Sequence, residues 1–247
     1  EVDDEQATYI GGMTGSSTGG AFENCRNNAP LTINYNGTKK AYKRIGGMTA
    51  ICQTAATTFN GCVNTVNGKI TILDQTATPL LTNVYGGGIV GEISAKMVSE
   101  MRDCKSFGDL YTNVANDAAR LGGMWATAGN WATDDMTLLQ GCAVNCNIKA
   151  VHPSKYGDTW YNPLNSCGLI VGRLGGEKKT LYLGTVEDPV KVAGTVTRLN
   201  ADGSVDVTVT FDGSNMGLCS GDGSATTANG QGTVQVINAK FEAVTKE

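Results

Sequence analysis

The sequence predicts an all-β fold: a right-handed parallel β-helix (solenoid) of about five irregular coils followed by an antiparallel C-terminal portion. Three observations predict it. A double-glycine motif returns along the chain, a second element ending in cysteine returns inside each unit, and a short apolar segment follows each cysteine at nearly fixed distance. No unit contains a run with helical periodicity.

The first element reads Ile10-Gly11-Gly12-Met13, Ile45-Gly46-Gly47-Met48, Gly87-Gly88-Ile89-Val90-Gly91 and Leu121-Gly122-Gly123-Met124. A looser copy is Gly168-Leu169-Ile170-Val171-Gly172, and Gly217-Leu218-Cys219-Ser220-Gly221 is a degenerate last copy. The leading glycines are 35, 41, 35, 46 and 49 residues apart. A residue without Cβ suits a turn with positive φ or a close approach of the neighbouring coil.

The second element reads Phe22-Glu23-Asn24-Cys25, Phe59-Asn60-Gly61-Cys62, Met101-Arg102-Asp103-Cys104 and Leu139-Gln140-Gly141-Cys142, with Leu181-Tyr182-Leu183-Gly184 as the fifth copy. The third reads Leu31-Thr32-Ile33, Ile70-Thr71-Ile72, Leu110-Tyr111-Thr112, Ile148-Lys149-Ala150 and Val190-Lys191-Val192. Short apolar or alternating segments separated by Gly, Asn, Asp, Ser and Thr are strands joined by turns.

Three strands cannot bury an apolar face alone, so the units must stack or close on one another. In a β-helix, equivalent strands of successive coils pair in parallel about 4.8 Å apart and like side chains form ladders. The alternative is a β-propeller of four-stranded blades. The glycine pair suits a kelch-type blade, but the Tyr and Trp such blades carry after it do not recur, and units of 35 residues are short for four strands.

Two inward ladders are expected, Met13, Met48, Ile89, Met124 and Ile170, and Phe22, Phe59, Met101 and Leu139. Cys25, Cys62, Cys104 and Cys142 share one position and read as small apolar core residues. Most thiols are expected to be reduced, because the Cβ vectors of stacked parallel positions run side by side. The chain has no C-x-x-C and one histidine, His152, so no metal site is expected. The glycine motifs lack the strand, loop and helix context of a phosphate cradle.

The formal net charge of −4, with dispersed Lys and Arg, excludes a basic footprint for nucleic acid. No apolar run approaches the 20 or so residues of a membrane span, so no membrane insertion is expected. The acidic opening Glu1-Val2-Asp3-Asp4-Glu5 reads as a trimmed end or as the stretch left after removal of a leader.

Residues 1–192 are read as the repeat solenoid and 193–247 as strands capping or extending it. Val190 to Thr210 alternates strongly, and Asn200-Ala201-Asp202-Gly203-Ser204 reads as a hairpin turn. Asp202, Asp206, Asp212 and Asp222 do not complete a calcium loop and read as solvated turn residues.

The glycine pair with its apolar follower, the aromatic-x-x-Cys strand and Cys62-Val63-Asn64-Thr65-Val66-Asn67-Gly68-Lys69-Ile70 together resemble the GLUG-type repeats of bacterial surface proteins. The resemblance covers residues 9 to about 192, and the whole chain is similar to adhesins and surface lipoproteins of gut Bacteroidetes. It implies an extracellular β-solenoid on the bacterial cell surface, associated with adhesion. No catalytic residue or cofactor carries over, because the repeat contains none.

The function expected is therefore a non-enzymatic adhesin or spacer module that binds a glycan or a surface protein through solenoid loops. Flat rings stack on sugars and anchor protein partners, so Trp125, Trp131, Tyr156, Trp160 and Tyr161, in or beside the longest insertion, are the candidate ligand-binding residues. They could equally cover an open edge of the solenoid. A polysaccharide-active enzyme is the alternative, with Glu92, Asp134 and Asp135 available, although a glycosidase needs two carboxyl groups facing each other. A purely structural stalk is the third reading.

Overall fold

Glycine, asparagine and aspartate interrupt each unit often enough that its β-branched and aromatic residues form strands of two to ten residues. The computed structural model describes residues 7–77, 80–94, 98–114, 119–128, 135–151, 167–174, 179–210 and 233–247. Among these residues there is no α-helix.

The strands of one unit go to different sheets, and each of the first three sheets takes one strand from successive units, while the fourth takes two short strands from each of the first three units. The first sheet stacks Ala7–Gly11, Ala41–Gly46, Leu81–Gly87, Ala119–Gly122 and Cys167–Gly168. The second, entered through the glycine pair, stacks Thr14–Ser17, Thr49–Cys52, Val90–Ile93, Trp125–Ala128 and Val171–Leu174. Gly20–Glu23, Thr57–Asn60, Val98–Arg102, Asp135–Gln140, Lys179–Leu183 and Thr233–Val236 form the third. The fourth holds the segments after the cysteine position. All pairings between these units are parallel, an arrangement compatible with a solenoid and opposite to the antiparallel, single-unit blades of a propeller.

Register puts like on like. Phe22, Phe59, Met101, Leu139, Leu183 and Val236 lie on one line across the third sheet. The rings of Phe22 and Phe59 stack at 4.9 Å between centroids and 10° between planes. Met48, Ile89, Met124 and Ile170 are fully buried, each backbone N–H donating to the carbonyl of the next where that residue exists. Burying a side chain of this size contributes roughly 1.5–3 kcal/mol, so the ladders form the core. Met13 departs from the expected inward ladder and is 46% exposed, because it stands in the first described unit.

The glycine pairs do not adopt positive φ. They are required by close approach: a Cβ on Gly47 would lie 2.0 Å from the Gly88 carbonyl oxygen and 2.9 Å from Cγ of Asn64. Positive φ belongs to the position before each cysteine, at Asn24 (52°), Gly61 (62°), Asp103 (53°) and Gly141 (61°). Only Gly, Asn and Asp tolerate that conformation at small cost, which is why these types alternate there.

The described cysteines are all free thiols, and six of the seven are buried, with Cys25 half-buried. Val190 takes the cysteine position of the fifth unit, since the N–H of Lys191 donates to the Cys142 carbonyl. The expected equivalence of Val190-Lys191-Val192 with Ile148 is therefore corrected: Ile148 pairs with Val196. Four extra residues between Leu183 and Val190, relative to Leu139 and Cys142, move the segment along, and the two short stretches of earlier units fuse into Ala143–Val151 and Val190–Leu199.

Val190–Leu199 runs without a break across position 192, where the second region was expected to begin. The hairpin at Asn200–Ser204 is present and sets Val205–Thr210 antiparallel to Val190–Leu199. The other described strands of the C-terminal portion are parallel: Thr233–Val236 and Ala239–Lys240 add to the third and fourth sheets in parallel. Beyond them the chain crosses the fourth sheet. Glu242 pairs with Lys191, the Val244 carbonyl accepts from Asn145 Nδ2, and Glu247 accepts from Val66 N–H while its carboxylate meets Arg26 and Lys105.

Candidate functional site

Two residues before Gly11, Gly46, Gly87 and Gly122 stand side chains outside the main core cluster. Tyr9, Arg44, Tyr85 and Arg120 occupy this position in four successive units and are in register. Adjacent parallel strands lie about 4.8 Å apart, so the four side chains make a row along the stack.

The row is tied by stacking. The Arg44 guanidinium lies 5.5 Å from the Tyr9 ring centroid and 5.2 Å from that of Tyr85, and Arg120 lies 5.1 Å from the latter. Each such contact contributes roughly 0.5–2 kcal/mol, more where solvent is excluded. Arg120 Nη1 also donates to the Tyr85 hydroxyl at 2.9 Å.

The second sheet supplies the facing groups. Glu92, Thr127 and Arg173 are in register there, and Arg44 Nε donates to the Glu92 carboxylate. The side chains of that pair are 16% and 11% exposed, so the ion pair is largely removed from water. Arg173 is half-buried, its Nε is shielded from solvent, and it has no hydrogen-bond partner among the described residues. Burial, followed by the nearby charge of Arg120, lowers its pKa from the ordinary arginine value. Among the described residues, three guanidiniums thus stand on these two neighbouring sheets with one carboxylate between them paired to Arg44.

Of the aromatic residues expected to bind ligand, Trp125 alone is among the described residues. Trp125 is a strand residue with a fully buried side chain, in register with Val90 and Val171, so its ring packs in the core and is not offered at a loop surface. Trp131, Tyr156, Trp160 and Tyr161 lie outside the described residues, as do His152, Asp134, Asp212 and Asp222. Asp135 opens the strand Asp135–Gln140. Glu92 faces Arg44 instead of a second carboxyl group. Asp202 closes the hairpin by accepting from the Ser204 N–H and hydroxyl, and Asp206 pairs with Arg198.

Among the described residues no group of three or more His, Cys, Asp or Glu side chains could hold a metal ion, and no helix is long and apolar enough to cross a membrane. The thiols are chemically quiet, since burial pushes Cys52, Cys146 and Cys167 up to about 12. A groove of about 420 Å³ on the third sheet is lined mainly by Leu138, Tyr182, Val186 and Ile237. It lacks the convergent polar groups that orient a ligand.

Sequence reasoning passed over the Tyr/Arg row because its residue types differ from unit to unit. The available signal was position: each member stands two residues before the glycine that aligns the units. Comparison with protein-family models, with curated proteins and with solved structures finds no match to this chain.

Proposed function

We propose that the chain is a non-enzymatic adhesion or spacer module of a bacterial cell surface, built as a right-handed parallel β-helix and holding a glycan or protein ligand on its flank. The observation that carries this reading is the row Tyr9, Arg44, Tyr85 and Arg120, one side chain per unit at the spacing of the stack. Arginine and tyrosine are the side chains that dominate recognition surfaces, and a row of them suits an extended partner. The row adds a strand surface to the loops of the long insertion as a place for the ligand. The GLUG-type pattern of glycine pair and cysteine strand supports the extracellular setting.

The test is retention of the folded chain on an array of immobilised host and bacterial glycans and surface proteins. Wild type is compared with the variant Tyr9→Ala, Arg120→Ala, whose folding is checked by circular dichroism. Retention by wild type and its loss in the variant is expected. Unchanged retention would move the ligand away from this row, and no retention of any probe would leave only the spacer role.

A further inference from the structure

We propose that Arg120 and Arg173 form a seat for an oxyanion carried by an acidic polysaccharide, either a uronate carboxylate or a sulfate ester. The inference rests on the binding reading above and names the chemistry of its ligand.

Charge balance points to an anion. Glu92 is taken by Arg44, and neither Arg120 nor Arg173 has a carboxylate partner among the described residues. Arg120 spends one N–H on the Tyr85 hydroxyl, which in turn donates to Asn83 Oδ1 at 3.3 Å. Tyr85 thus positions Arg120, whose remaining donors have no hydrogen-bond partner among the described residues. A buried N–H without an acceptor is costly, and Arg173 Nε is such a group. The like charge of Arg120 stands near Arg173 and adds to burial, the larger cause, in lowering the pKa of Arg173. One bound oxyanion removes both penalties, and guanidinium forks match carboxylate and sulfate geometry.

Register points to a polymer. The row repeats once per unit along the stack axis, so a linear chain can run over Tyr9 and Arg44 while an acidic group sits at Arg120 and Arg173. Tyr9 is 39% exposed and offers an accessible ring.

Affinity electrophoresis through gels containing polygalacturonate, dextran sulfate, neutral dextran or poly-glutamate tests this. The proteins are wild type, R120Q/R173Q, R120K/R173K and the remote control R102Q/R198Q, each with its thermal midpoint measured. Expected is retention of wild type and control by polygalacturonate or dextran sulfate and not by dextran, with at least tenfold weakening in R120Q/R173Q and partial loss in R120K/R173K. Whichever acidic polymer retains the protein identifies the oxyanion. Absence of retention by both, equal retention by poly-glutamate, or a folded R120Q/R173Q that binds as wild type would overturn the proposal. A neutral glycan retained by wild type and lost on Tyr9→Ala would leave the row as binding site while this inference fails. Acidic-polymer retention unchanged in every variant would sink both.

Discussion

Asn27 Nδ2 donates to Asn64 Oδ1 at 2.8 Å, joining the first two units through buried carboxamides, and Asn64 Nδ2 donates onward to the Gly68 carbonyl at 2.9 Å. Asn64 is fully buried, so every bond it makes replaces one to water. Asn64→Ala leaves the Asn27 donor and the Gly68 carbonyl unpaired. A loss of about 2–3 kcal/mol in stability by urea denaturation is expected.

The second glycines of the first two pairs, Gly12 and Gly47, lie against these two carboxamides. Gly47→Ala would put a methyl 2.0 Å from a backbone oxygen of the next unit, which cannot rotate away as a side chain could. The expected cost is about 3 kcal/mol or more, read as a fall in denaturation midpoint. Gly203→Ala, whose Cβ would meet nothing within 4 Å, carries only the strain of its φ of 85° and should cost less.

Positive φ before the cysteine makes a distinct prediction. Gly61→Val forces a β-branched residue into a conformation it avoids, and about 1–2 kcal/mol is expected from the backbone alone. Asp103→Gly relieves the same conformation and should leave the midpoint unchanged or raised. A loss of more than about 1 kcal/mol on Asp103→Gly would show that its side chain, not its backbone, matters there.

Thiol ionisation sets the alkaline limit. The folded pKa values of Cys52, Cys146 and Cys167, about 12, stand above the ordinary 9.0 because burial disfavours the thiolate. Between these values the unfolded chain has released protons that the folded chain keeps, so stability is fully present below pH 9 and falls as pH rises toward 12. Lys43, whose pKa is lowered by burial, acts in the opposite sense but is one group against three. Thermal midpoints at pH 8 and pH 10.5 should show a clear drop, and iodoacetamide at pH 8 should label Cys25 ahead of the six buried thiols.

Much of the fold was legible because the stack repeats residue types as well as positions. Phe22 and Phe59, or Met48 and Met124, announce their equivalence by chemistry, and the glycines mark where backbones approach. Legibility fails where position is kept and chemistry is not. Val190 stands in the cysteine position after an insertion, so spacing counted from Gly184 gave the wrong register. Trp125 was read with the loop residues that follow it, although it aligns with Val90 and Val171 and is buried as they are. The Arg44–Glu92 pair joins residues 48 apart from two sheets, and only the folded register brings them together. The Tyr/Arg row hides for the same reason.

The measurement that bears most directly on the claim of binding without turnover is incubation of the pure chain with soluble host and bacterial polysaccharides, with reducing-end release and retention read in the same samples. Retention without release is predicted. Release of new reducing ends by the wild-type chain, abolished on substitution of Glu92, would contradict it.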